Sequence, residues 1–455
     1  MSDDKSSTAA SPPKTSALAP VASGERLASV DILRGFALLG ILLMNITSFG
    51  FPWNGHADLA DGKTLSDPNL GVWVVISVLF EGKMRATFSM LFGAGLVLFT
   101  LRAEEREGTA SGSAVFYRRC MWLLLFGFLH YGLLWNGDIL YEYAVGAFIM
   151  FPLRHKSAKI LLLAGAMLLL TSSLRNLPQS WELERKRVAN VEANAAQAAG
   201  HELTAEQKDA QAEWAAQMRW RKPNKTQIAK EISDHQKGYW DIFLMRQRQT
   251  WSAFVSSWDT AGMMLVGMGF MKLGVFSAAY RMLFYAGMML LGYTAGFLIN
   301  GYTAYRTITS NFEPISMWWT LSTYDAGRLT MALGHIGLLT LIFQTKWLRW
   351  TTKPLAAVGR MALSNYLLTS LICTTFFYGY GFGMYGKLER YQLYYVVLSV
   401  WTFNLIISPI WLRFFQFGPM EWLWRSLTYW KRQPMRLHAT NGTPSAESPA
   451  PAENT

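Results

Sequence analysis

Charge is scarce in this chain: Asp, Glu, Lys and Arg make up 16% of its 455 residues, whereas 51% are apolar. The charges it has gather in both tails and in one internal segment, and what remains is too apolar for a soluble core. Cysteine is scarcer still. Cys120 and Cys373 each lie within or beside an apolar run, which excludes a disulfide framework and argues against redox chemistry. Metal-ligand spacing is missing as well: no HExxH, no Cys-rich cluster and no pair of histidines at i,i+4, so no metal is expected. No glycine-rich phosphate loop follows a strand, and no strand pattern exists to carry one. Nucleotide hydrolysis is thereby set aside. The net charge of +12 invites a nucleic-acid reading, but the basic residues sit at the ends of apolar runs and lack aromatic interleaving. They are placed as membrane anchors are.

What the chain does have is a series of apolar runs of about 18 residues or more, the length that crosses a bilayer. Read in order they predict spans near 28–51, 84–101, 116–135, 138–153, 157–175, 251–275, 281–300, 326–345, 361–380 and 391–413. The expected fold class is therefore all-α, a polytopic transmembrane helix bundle of about ten spans with a helical extramembrane insertion. The fourth span is short, and residues 70–83 read as an interfacial or re-entrant helix leading into the second. Residues 1–25 and 434–455, rich in Ser, Pro and Ala, read as disordered tails. Two transmembrane halves, 26–175 and 251–417, flank the polar insertion 176–250. Residues 418–433 (418–430, GPMEWLWRSLTYW, with the basic pair after it) suit an amphipathic segment in the membrane interface.

Lys and Arg in short loops stay on the cytoplasmic side. With the N-terminus inside, the cytoplasmic segments carry about twenty of them, against only Lys63, Arg306, Lys387 and Arg390 in the short loops opposite. That asymmetry predicts a multi-pass protein of a bacterial inner membrane with both termini cytoplasmic and the insertion periplasmic, since long loops translocate regardless of charge.

Ionisable residues inside spans are functional candidates because placing a charge at mid-bilayer costs at least a few kcal/mol. Asp31 and Arg34 sit near the start of the first span, either as an i,i+3 ion pair at the interface or as ligand contacts, and Asn45 shares a helical face with Arg34. The densest polar constellation is FGFLHYGLLWNGDILYEYAVG (126–146). Asn136-Gly137 is a tight turn that sets the third and fourth spans antiparallel, so His130 is expected to face Glu142 at similar depth. A histidine beside a carboxylate where water is restricted is an arrangement for general base chemistry or proton transfer. Asp138 reads either as part of that unit, one turn before Glu142, or as the N-cap of the fourth span. Glu81, Lys83 and Arg85 border the second span. Asp259, lacking a local partner, requires a cation from another helix, with Arg85 or Arg34 the expected source. His335 reads as a satisfied packing histidine more readily than as a site residue. Gly93, Gly95, Gly267, Gly269, Gly292 and Gly296 are expected to allow close helix packing.

Six stretches carry a resemblance: RLASVDILRGFALLGILLMNITSFG (26–50), FEGKMRATFSMLFGAGL (80–96), residues 126–146, WDTAGMMLVGMGFMKLGVF (258–276), GRMALSNYLLTSL (359–371) and GPMEWLWRSLTY (418–429). In these the chain resembles the YeiB-like family of bacterial membrane proteins, known by its domain of unknown function 418. That family is distantly similar to multi-span membrane acyltransferases, whose first helix carries an Arg followed eleven positions later by a catalytic His. Arg34 matches the Arg, but Asn45 stands where the His would be, and asparagine cannot take a proton at neutral pH. The resemblance thus implies either lost acyl-transfer chemistry or a substitute base such as His130. It further implies an acyl thioester donor such as acyl-CoA, with no covalently bound cofactor, and a small-molecule, lipid or glycan acceptor. Catalysis then falls to His130, Glu142 and Asp138, and binding to Arg34, Asp31, Asn45, Arg85 and Asp259. The alternative is a transporter or proton-coupled carrier of a small solute, suggested by the isolated carboxylates Glu142 and Asp259.

Overall fold

The computed structural model describes residues 27–52, 59, 64–107, 109–221, 225–247 and 258–437; the expected disordered N-terminal tail, most of the C-terminal one and the start of the sixth expected span lie outside them. Among the described residues the secondary structure is helical, with no β-strand and a single bridge between Phe415 and Arg436.

The elements are α1 (Ala28–Gly50), α2 (Pro68–Leu79), α3 (Lys83–Glu107), α4 (Thr109–Leu133), α5 (Leu140–Met150), α6 (Ala158–Leu174), α7 (Leu177–Ala198), α8 (Ala205–Arg221), α9 (Lys225–His235), α10 (Tyr239–Gln247), α11 (Trp258–Lys272), α12 (Met282–Thr309), α13 (Pro314–Thr345), α14 (Arg349–Arg360), α15 (Ala362–Phe377), α16 (Arg390–Phe414) and α17 (Pro419–Tyr429). Among the described residues, six helical stretches can cross a membrane by length and composition, or seven if α14 and α15, bent by 85° at Met361, form one broken span. The expected count of ten is not confirmed by this measure, in one case for a geometric reason. The fourth expected span is an 11-residue α5 followed by a 3-10 turn, Phe151–His155, and 11 helical residues rise only about 16 Å, half of a bilayer core of about 30 Å.

Burial sorts the spans into layers. In α1, 67% of the apolar window is covered by other helices, whereas the figure is 17% for α12 and 22% for α16. The uncovered side chains of those two are nonetheless apolar, among them Leu283, Leu290, Leu298, Leu398 and Ile406. An apolar face that no protein covers is what lipid contact requires. α1 is the central post, and it meets α14 without clearance: a Cβ on Gly35 would lie 1.9 Å from the Leu355 carbonyl oxygen, and one on Gly359 would lie 1.9 Å from that of Asp31. α3 and α11 cross the same way at Gly93 and Gly267. Gly95 departs from expectation, since nothing lies within 4 Å of its would-be Cβ; it borders a cavity instead.

The stretch expected to be interfacial forms α2, started by Asp67, whose carboxylate accepts from the amides of Asn69 and Leu70. The chain then passes through Gly82 at φ +72° into α3, and the two helices together make one apolar stretch, Pro68–Glu105, long enough to cross a membrane. The insertion 176–250 forms α7 to α10 and is fastened at one end of the bundle. The amide of Gly379 donates to the His235 carbonyl at 2.9 Å, the Tyr385 hydroxyl donates to Glu231 at 2.8 Å, and the Tyr239 hydroxyl to the Leu133 carbonyl at 2.9 Å. The opposite end is tied by Lys272 to the Lys156 carbonyl and by the Trp424 indole of α17 to the Arg119 carbonyl.

Candidate functional site

The turn between α4 and α5 builds the first site. At Gly127 the helices approach so closely that a Cβ would lie 2.5 Å from the Tyr141 amide, which brings the end of α4 against the turn. His130 is 2% exposed and Asp138 4% exposed, and the imidazole Nδ1 is 2.6 Å from Asp138 Oδ2. The other carboxylate oxygen, Oδ1, accepts the Tyr141 amide at 3.1 Å. Asp138 therefore fills both roles that the sequence left open, securing the first turn of α5 with one oxygen and orienting His130 with the other. Tyr366 of α15 completes the group: its hydroxyl accepts from the Ile139 amide at 3.3 Å and donates to Asp138 Oδ2 at 3.5 Å, with its ring 5.0 Å from the imidazole. With Nδ1 donating to the carboxylate, Nε2 carries the lone pair, and among the described residues it has no hydrogen-bond partner.

Glu142 does not join His130. The expected register needed Asp138 and Glu142 on one helical face, but Asp138 precedes the first turn of α5 and is not helical. Glu142 instead points to α3, its Oε2 4.0 Å from Arg85, and accepts from the Tyr141 hydroxyl at 3.5 Å.

Arg85 belongs to a second cluster. Asp259 Oδ2 takes both Arg85 and Arg328 at 2.7 Å, Arg328 also holds Asp325 at 2.7 Å, and Ser173 donates to Asp325 at 3.4 Å. The required cation for Asp259 is thus Arg85, as expected, joined by Arg328, which sequence reasoning missed although Asp325 and Arg328 form a visible i,i+3 pair in STYDAGRLT. Arg34 is elsewhere, paired to Asp31 at 3.1 Å. His335 is a satisfied packing residue, donating from Nε2 to the Leu79 carbonyl and accepting the Tyr293 hydroxyl at Nδ1.

The third feature is a cavity of about 260 Å³ walled by α1, α3, α4, α5, α14, α15 and α17. Its flanks are aliphatic and aromatic, including Leu38, Ile41, Leu91, Leu96 and Leu123, and its polar lining includes Asp31, Arg34, Arg102, Arg119, Arg360, Glu421 and Arg425. Tyr366 lines it and is the link to the His130–Asp138 pair. Of the candidate binding residues, Asp31 and Arg34 border the cavity; Asn45, Arg85 and Asp259 do not, and neither do His130, Asp138 and Glu142. Tyr366, Arg119, Arg360, Glu421 and Arg425 escaped the sequence reading because an interfacial arginine and a tyrosine in a span are ordinary there. α17, read as a surface helix, is also a cavity wall: Glu421 accepts from the amides of Leu363 at 2.6 Å and Ser364 at 3.1 Å and from the Ser364 hydroxyl at 2.5 Å, capping α15 at the 85° bend.

Residues 270–431 match the model of a protein of unknown function, DUF418. The chain is 30% identical over 424 residues to the uncharacterized protein YeiB of Escherichia coli (strain K12), an alignment spanning 89% of this chain and 96% of that protein. It is 28% identical to the uncharacterized protein YxaH of Bacillus subtilis (strain 168), over 92% of this chain and 98% of the relative. A third relative, an uncharacterized 39.9 kDa protein in the amylase 3' region of Bacillus acidopullulyticus, is 27% identical over 92% of this chain and 98% of its own. Helical from α1 to α17 and matched along almost its whole length, the chain belongs to the YeiB-like DUF418 family of membrane proteins.

Proposed function

We propose that the protein is an acyl-transfer enzyme of the bacterial inner membrane, with both termini cytoplasmic, taking an acyl group from a thioester donor such as acyl-CoA and passing it to a hydroxyl- or amine-bearing small molecule, lipid or glycan. The observation that carries this reading is Tyr366, which lines the apolar cavity while bonded to the Asp138 that orients His130. An acyl chain finds aliphatic walls there, and a base lies one side chain away.

Each residue then has a defined task. Asp138 keeps the proton of His130 on Nδ1, so Nε2 accepts the acceptor's proton as its oxygen or nitrogen attacks the acyl carbonyl. The tetrahedral intermediate collapses with cleavage of the carbon–sulfur bond, and the imidazolium returns the proton to the leaving thiolate. Asp138 stabilises the imidazolium in between. A general base of this kind contributes about 10²- to 10⁴-fold, so His130→Ala should lower transfer from labelled acyl-CoA in the purified protein by that factor. Unchanged turnover at normal protein level would leave the reaction without its base. For orientation, alkaline phosphatase fused after Lys225 should be active and the same reporter at Lys353 silent; activity at Lys353 would invert the topology.

The second reading, a proton-coupled carrier, rests on Glu142, whose Oε2 is buried without a hydrogen-bond partner among the described residues. Such a carboxylate is suited to carrying a proton. Uptake that Glu142→Gln abolishes and His130→Ala spares would favour it over acyl transfer.

A further inference from the structure

The charged end of the cavity holds two arginines, 119 and 360, that no carboxylate pairs among the described residues. Five arginines (34, 102, 119, 360 and 425) line it, against two carboxylates, Asp31 and Glu421. Both carboxylates are already engaged. Asp31 holds Arg34 at 3.1 Å, and Glu421 spends both oxygens on the amides and hydroxyl at the start of α15. Arg119 has no carboxylate within ion-pair distance among the described residues; its guanidinium lies 3.6 Å over the Trp424 ring and 5.2 Å from that of Phe99. Arg360 reaches the Gln416 carbonyl at 3.5 Å through one nitrogen, while its Nε is buried with no hydrogen-bond partner among the described residues.

Like charges that line one apolar-walled cavity repel, and the lower the local dielectric the more they do so. Stacking on an indole offsets part of this for Arg119 and offers nothing to Arg360. An anion bonded to both guanidiniums would remove the imbalance. A ligand with one negative charge would still leave one of them uncompensated, whereas two linked phosphates match two planar forks. The adjoining walls are mainly aliphatic and aromatic.

We propose that this end of the cavity binds a diphosphate attached to an apolar chain, with Arg119 and Arg360 as the residues that select for at least two negative charges. The inference deepens the acyl-transfer reading and rests on it for one of its two ligand sources: a long-chain acyl-CoA carries its diphosphate on a thioester donor, and an isoprenoid diphosphate carries it directly on the lipid. Cys120 reports occupancy, because it lines the same cavity whereas Cys373 packs in a separate cluster.

The test uses the full-length protein in detergent with His130→Ala, so that binding is read without turnover, and with Cys373→Ser, so that Cys120 is the one thiol. Palmitoyl-CoA, farnesyl diphosphate, palmitate and phosphatidylglycerol are compared for direct binding and for protection of Cys120 from N-ethylmaleimide. At least one diphosphate ligand should bind tenfold or more tightly than both singly charged ones and protect Cys120. Arg119→Gln and Arg360→Gln should each erase most of that preference, and Arg119→Lys, which keeps the charge and loses the fork, should retain part of it. Equal affinity for palmitate and the diphosphates, or tight binding that leaves Cys120 as reactive as before, would overturn the proposal. Protection by farnesyl diphosphate alone supports it and sinks the thioester donor. Palmitoyl-CoA that binds as expected but is never turned over by the unsubstituted protein likewise supports it and sinks acyl transfer.

Discussion

Two groups of buried polar residues stand side by side in this bundle and differ in what they leave over. The Arg85–Asp259–Arg328–Asp325 cluster links α3, α11 and α13 through contacts of 2.7 Å, and Asp259 shares one oxygen between two guanidiniums. Charge there is matched to charge, even though Arg328 keeps a buried Nε without a hydrogen-bond partner among the described residues, and the result is a tie between helices. The His130–Asp138–Tyr366 group is buried more deeply, since Arg85 is 34% exposed, yet its carboxylate is spent on orienting an imidazole whose second nitrogen stays unbonded among the described residues. The difference teaches where to look for chemistry: a membrane interior tolerates a polar group that holds helices together, and a leftover lone pair needs another reason.

The comparison breaks most visibly at Arg328, which is 1% exposed. Arg328→Met leaves Asp325 without its cation and Asp259 with only Arg85, and the expected loss is about 3–5 kcal/mol, read as a fall in thermal midpoint and in membrane-inserted yield. Adding Asp325→Asn should restore part of it, since the stranded charge goes too. Asp138→Asn should cost less stability, about 1–3 kcal/mol for a weakened buried bond, but should lower any His130-dependent turnover as far as His130→Ala does. The double variant should then be no worse than either single one.

A finer test separates the two groups from each other. Because Glu142 faces Arg85 and His130 faces Asp138, the effects of His130→Ala and Glu142→Gln should add to within about 0.5 kcal/mol. Strong non-additivity would mean the two meet in the working protein. The smallest effect belongs to Gly95→Ala: with nothing within 4 Å, stability should stay within about 0.5 kcal/mol, and Gly267→Ala, whose new methyl would meet the Met90 carbonyl oxygen at 1.9 Å, is the destabilising control.

Helical class, the helices of the polar segment 176–250, a helix ahead of the second span and the Asp259–Arg85 pair were all legible in the chain, because each follows from local pattern or from the cost of an unpaired charge. The pairing of His130 was not. Depth below the turn ranked Glu142 as well as Asp138, and the choice depended on where α5 takes up helical geometry, which begins at Leu140. Nor was the cavity visible, since seven helices build it and no single stretch shows a concave surface. Arg119 reads as an anchor until Trp424, 305 positions later, is seen holding its backbone carbonyl. The count of ten is not confirmed at α4, α5 and α11: α5 is short, α4 has 25 residues but too little apolar content over any 18 of them, and the start of the span expected at 251–275 lies outside the described residues.

The strap joining α9 to the loop after α15 has a consequence in time. Gln236 donates to the Gly383 carbonyl across 147 positions of sequence, and Tyr385 reaches both Glu231 and the carbonyl of Phe51. At ribosomal speeds of about 5–20 residues per second, α9 waits roughly 7–30 s for the segment it will grip. A chain caught during synthesis is therefore open at that end however many of its helices are already in the membrane, and closure there marks the passage from nascent to finished protein.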